Sequence, residues 1–77
     1  MTARAYVLIT AAAGQAATVA EALRVLPGVA RADVVAGPYD VVAVVEGADV
    51  AAIGRLVLNQ LHGIPALTNT LTLIAVA

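Results

Sequence analysis

The unbroken run Val41-Val42-Ala43-Val44-Val45 constrains the fold of this chain more than any other stretch. Successive residues of a strand point to opposite sides of its sheet, so a run with no polar member needs cover on both faces. The strand is read as Tyr39 to Glu46, delivered by the turn Gly37-Pro38-Tyr39-Asp40. Helices of the same chain can supply one cover. The second has to come from elsewhere, because a chain of 77 residues has material for only two layers.

The remaining elements follow from periodicity and punctuation. Ala5 to Thr10 carries strand formers, and Gln15 to Leu26 places Val19, Leu23 and Leu26 on one helical face, with Glu21 and Arg24 on the other. Val29 to Ala36 resumes a strand in which Arg31 and Asp33 alternate with apolar neighbours. Asp49 is placed to cap a second helix whose apolar stripe is Val50, Ile53, Val57 and Leu61. Leu26-Pro27-Gly28-Val29 and Leu61-His62-Gly63-Ile64 read as matching helix ends, each with a glycine suited to the left-handed conformation. From Leu67 onward leucine and threonine alternate, so Leu67, Leu71 and Leu73 are expected on one face and Thr68, Thr70 and Thr72 on the other, which turns apolar at Ile74 and Val76.

The order strand, helix, strand, strand, helix, strand predicts an α+β, ferredoxin-like βαββαβ fold. Its four-stranded antiparallel sheet would carry both helices on one face. The residues are 62% hydrophobic, against roughly 45–50% for an ordinary domain with glycine counted in. A domain this small buries only about 60% of its unfolded surface. The chain has no cysteine with which to staple itself. Both observations predict a large exposed apolar face and an obligate oligomer.

Several classes of function are not expected. Charged residues interrupt the chain before any run of about 20 apolar residues accumulates, so no membrane span is expected. Four arginines, no lysine and a formal charge of -1 provide no field for a phosphate backbone, so direct nucleic-acid binding is not expected. The opening residues do not pattern as a basic region leading into an apolar one, and the lack of cysteine fits a reducing cytoplasm. No metal or other cofactor is expected, since His62 is the sole histidine and reads as a helix cap.

The chain resembles the effector-binding, or RAM, domain of the Lrp/AsnC transcription regulators. The resemblance rests on Tyr6-Val7-Leu8-Ile9, on Leu26-Pro27-Gly28-Val29, on Gly37-Pro38-Tyr39-Asp40 running into its valine strand, and on the close from Gly63-Ile64 to Thr70-Leu71-Thr72. It implies a single effector-binding and oligomerisation domain over residues 1–77 with no DNA-binding domain, like the stand-alone members of that family. It also implies a dimer packed sheet to sheet as an α+β barrel, dimers joined in a ring, and possibly a full-length regulator as partner. The effector, an amino acid or similar metabolite, would lie between subunits at Gly37, Pro38, Tyr39 and Asp40, with Thr68, Thr70 and Thr72 contributing.

Residue chemistry supports that rim without deciding it. Asp40 can accept from an ammonium group while threonine hydroxyls and turn N–H groups donate to a carboxylate. Equally, Asp40 can cap its own turn, Tyr39 can wedge an interface, and the threonines can serve as strand formers. Gly37 would allow close approach of a backbone. No nucleophile and base constellation is present, so no catalysis is expected. The alternatives to an amino-acid sensor are a pure assembly partner, an ACT-like regulatory domain and a small dimeric-barrel enzyme.

Overall fold

The central strand β1, Ala3–Ala11, pairs with β3, Val41–Gly47, on one side and with β4, Leu67–Ile74, on the other. β2, Val29–Val34, joins the far side of β3, so the sheet runs β2-β3-β1-β4 with every neighbour antiparallel. Helix α1, Ala16–Arg24, and helix α2, Val50–Asn59, supply the crossovers. This is the expected ferredoxin-like βαββαβ arrangement. The computed structural model describes residues 2–77, so Met1, the first residue of the domain expected over residues 1–77, lies outside them.

The core follows from strand parity. Ala5, Val7 and Ile9 of β1 pair with Val45, Ala43 and Val41 of β3, and all six are fully buried. They meet Val19, Ala20 and Leu23 of α1, Ile53 and Val57 of α2, and Leu61 in the short 3-10 turn Leu61–Gly63. Arg24 ties α1 to β2 by donating through its Nε and a terminal nitrogen to the carbonyl oxygen of Ala32, at 3.0 and 2.8 Å. Asp49 caps α2 as expected, accepting from the Ala52 N–H at 2.8 Å.

Val42 and Val44 point away from the helices and are only half-buried. Tyr6 and Leu8 share that face, as do Leu71 and Leu73, which pair with Leu8 and Tyr6. Tyr6, Leu71 and Leu73 are 39%, 47% and 47% exposed. The valine run therefore has its first cover in the helices, and the described residues offer no second one.

The structure corrects three expectations. Val50, assigned to the buried stripe, is 55% exposed, because it opens α2 immediately after the cap and faces outward there. The strand alternation of β4 is interrupted by a bulge: Thr10 pairs with Asn69 but Ala11 pairs with Leu67, so one residue is surplus. Leu67 consequently packs against the core, whereas Leu71 and Leu73 lie on the open face. Thr70 and Thr72 align with Ile9 and Val7 on the helix side.

The third correction concerns the repeated turn. Gly63 has no positive φ; the counterpart of Gly28 is Ala66, with φ of 93° and 71° respectively. The true match is Leu26-Pro27-Gly28-Val29 with Ile64-Pro65-Ala66-Leu67, each leading into a strand. In both turns the fourth N–H donates to the first carbonyl, at 3.2 and 3.3 Å. Proline second and a left-handed residue third is the pattern of a type II turn.

Ala66→Gly is expected to be close to neutral, within about 1 kcal/mol. Relief of the left-handed alanine, about 1–2 kcal/mol, is offset by one lost methyl contact, about 0.8 kcal/mol, and by greater freedom of the unfolded chain. Urea unfolding checks this; a loss well above that limit would mean that the methyl group anchors the turn.

Candidate functional site

Asp40 is held at three points where the β2–β3 connection returns to the sheet. Its N–H donates to the carbonyl of Ile9 and its own carbonyl accepts from Val35, each at 2.9 Å. Its Oδ2 accepts from the N–H of Ala11 at 2.8 Å. The side chain thus satisfies a β1 donor just where regular pairing with β3 has ended. Oδ1 has no hydrogen-bond partner among the described residues, so part of the carboxylate's acceptor capacity remains free.

The other turn residues surround this fixed point. Gly37 and Pro38 are exposed and Tyr39 is half-buried. A Cβ added at Gly37 would meet nothing within 4 Å, so among the described residues no close contact demands glycine there.

The bulge brings a threonine to the same end of the sheet. The hydroxyls of Thr68 and Thr10 lie 2.9 Å apart, and the Thr68 hydroxyl also donates to the Thr10 carbonyl at 3.1 Å. Asp40 and Thr68 are therefore gathered around the adjacent β1 residues Thr10 and Ala11. Thr70 instead contacts His62, its hydroxyl 3.0 Å from Nε2. Thr72 lies on the helix side with it, so the threonines do not form one stripe. Thr10 went unnoticed in the sequence because only the pairing of β1 with β4 gives it a hydroxyl partner.

At the opposite end of the sheet, Arg4 faces Glu46 at 3.4 Å. Hydrogen bonding to Tyr6, then to Glu46, raises the Arg4 pKa further above its ordinary value and keeps the guanidinium protonated. On β2, Arg31 and Asp33 pair at 2.9 Å. Both pairs are solvent-exposed. Among the described residues no group of three or more histidines or carboxylates is placed to hold a metal ion, and no helix is long and apolar enough to cross a membrane.

The described residues thus form a two-layer domain with helices on one side, an open apolar sheet face on the other and polar groups at the sheet ends. The chain belongs to the Lrp/AsnC ligand binding domain family, whose pattern matches residues 4–77. The crystal structure of TTHA0845 from Thermus thermophilus is 33% identical, with a TM-score of 0.91 over 97% of this chain and 94% of that one. The hypothetical protein PHS023 from Pyrococcus horikoshii is 31% identical, with a TM-score of 0.90 over 100% of this chain and 92% of that one. The transcriptional regulator NMB0573 from Neisseria meningitidis, solved as a complex with L-Met, shares the fold at 18% identity and a TM-score of 0.85, over 97% of this chain and 50% of that regulator. No curated protein matches the chain.

Proposed function

We propose that this regulatory ligand-binding domain senses an amino acid and assembles with copies of itself through the open face of its sheet. The uncovered face carries the proposal: Val42, Val44, Tyr6, Leu8, Leu71 and Leu73 make a continuous apolar surface with no cover from the described residues. A second sheet laid against it would form an α+β barrel, and further association of such dimers would close a ring. The effector would lie at the Gly37–Asp40 end. There the free oxygen of Asp40 receives its ammonium, the turn N–H groups and the Thr10 hydroxyl donate to its carboxylate, and Tyr39 flanks it. The L-Met bound by the Neisseria regulator supports this class of ligand. Thr70 and Thr72, on the helix side, would contribute only indirectly. The module would act without catalysis, in the cytoplasm, and influence transcription through a partner regulator.

A second reading is favoured by the hydrogen bond from Ala11 to Asp40. An aspartate already engaged by the backbone suits an assembly partner that binds no effector and joins a full-length regulator through the same face.

Asp40→Asn separates the two. Asparagine keeps an oxygen for the Ala11 N–H while removing the charge, so the fold should persist. Calorimetry with a panel of amino acids is expected to show binding weakened by about 1.5 kcal/mol or more, the low end for a charged hydrogen bond. Unchanged affinity would remove Asp40 from the site, and an absence of binding by the unsubstituted protein would favour the assembly partner.

A further inference from the structure

The outer surface of the helix layer carries one unmatched anion and one unmatched cation. The other charged side chains are engaged: Arg4 faces Glu46, Arg31 pairs with Asp33, Arg24 donates to the Ala32 carbonyl, and Asp40 and Asp49 accept from backbone N–H groups. Glu21 and Arg55 have no ion-pair partner among the described residues. Glu21 stands between the buried Val19 and Leu23 of α1, and Arg55 between the buried Ile53 and Val57 of α2. At about 100° per residue, each therefore points away from the sheet. The residues three and four positions from Arg55 are Ala51, Ala52, Leu58 and Asn59, none of them acidic. Arg24 is within helical reach of Glu21, but its guanidinium is turned to β2.

Around these charges the two helices present matching seams. Thr18, Glu21, Ala22 and Val25 follow the spacing i, i+3, i+4, i+7 along α1 and its C-cap, and Ala51, Gly54, Arg55 and Leu58 follow it along α2. All are exposed except Ala22, which is half-buried. If the seams are opposed head to tail with Glu21 against Arg55, then Thr18 meets Leu58, Ala22 meets Gly54 and Val25 meets Ala51. Each large apolar side chain faces a shorter one, and the closest approach falls at Gly54. Nothing among the described residues requires that glycine. It is exposed inside α2, a Cβ there would meet nothing within 4 Å, and glycine is disfavoured within helices.

We infer that the helix layer is a self-association surface, on which α1 of one copy lies antiparallel on α2 of a second copy. The strand order already supplies the required geometry. β1 and β2 are both antiparallel to β3, so α1, returning from β1 to β2, runs opposite to α2, which leaves β3 for β4. A two-fold axis between the helices and along them lays each helix antiparallel on the other helix of the second copy. The Glu21–Arg55 pair then forms twice, as a self-complementary interface requires. Such pairs set register and choice of partner more than raw affinity. This surface lies on the opposite side of the sheet from the open face, and the inference depends neither on that face nor on an effector.

The test is sedimentation of the whole protein over a dilution series, with circular dichroism following the fold. Glu21→Arg and Arg55→Glu each bring like charges together at both contacts. Each is expected to weaken association about tenfold or more while the fold persists. An equimolar mixture of the two variants restores opposite charges at both contacts and is expected to recover the original assembly size. Gly54→Leu, which alters no charge, is expected to weaken association without lowering helix content. An assembly unchanged by the reversals or by Gly54→Leu, or a mixture no larger than its components, would overturn the helix contact. Failure of the open sheet face would show separately, in Leu71→Asp, and would leave the mixing result untouched.

Discussion

Leu71→Asp is expected to dissociate the assembly proposed through the open sheet face. Leu71 is 47% exposed in the isolated chain, so the substitution removes little from the core and its cost falls on association. In a two-fold interface each substitution occurs twice, and an unpaired carboxylate taken out of water costs several kcal/mol even after relaxation. A loss of about 4 kcal/mol or more, a thousandfold in the dissociation constant, is the expected scale. Sedimentation measures the assembly while circular dichroism follows the fold. An unchanged assembly size with the charge in place would mean that the subunits meet elsewhere, and the argument from the uncovered valines would fail with it.

Gly28→Ala is expected to damage the fold itself. With φ at 93°, an L side chain is strained there whatever the space around it. The space is also closed: an added Cβ would stand 3.1 Å from Cδ2 of Leu56 and 3.2 Å from the backbone oxygen of Glu46. Leu56 can yield, but the strand carbonyl cannot easily do so, because the Gly28 carbonyl accepts from the Glu46 N–H at 2.8 Å and holds the turn against β3. Strain and contact together should remove about 2–4 kcal/mol, a large share of the stability typical of so small a domain. Urea unfolding at fixed protein concentration would register it. A loss no larger than that of Ala66→Gly would show that the two turns tolerate a side chain equally.

The contrast between these two turns marks where reading the sequence succeeds. The core strand, the Asp49 cap and the Pro27–Gly28 turn were legible because each depends on near neighbours: a run of valines, a side-chain oxygen three residues before its donor, a proline beside a glycine. Gly63 misled because glycine permits the left-handed conformation without requiring it, and Ala66, which adopts it, bears no such mark. The family resemblance was likewise legible, through ordered short motifs that together span most of the chain.

The candidate site was only partly legible. Asp40 is beside its turn in sequence, but its partner Ala11 is 29 residues away and enters through the sheet. Thr10 and Thr68 meet across 58 residues. Arg4 and Glu46 approach across 42 residues for the same reason. Pairings of that range are set by register, and register is the property that an alternating strand specifies least well when both of its phases are plausible.

The surplus residue in β4 decides between those phases. If the strand ran on without it, Thr70 and Thr72 would fall opposite Leu8 and Tyr6, and the open face would present hydroxyls where it now presents leucines. A change of length at this one position would therefore invert a whole wall of the sheet at a stroke, whereas substitutions alter it one side chain at a time. Among related chains, a single-residue gap here is a change of surface chemistry, and an alignment that overlooks it assigns every following side chain to the wrong side.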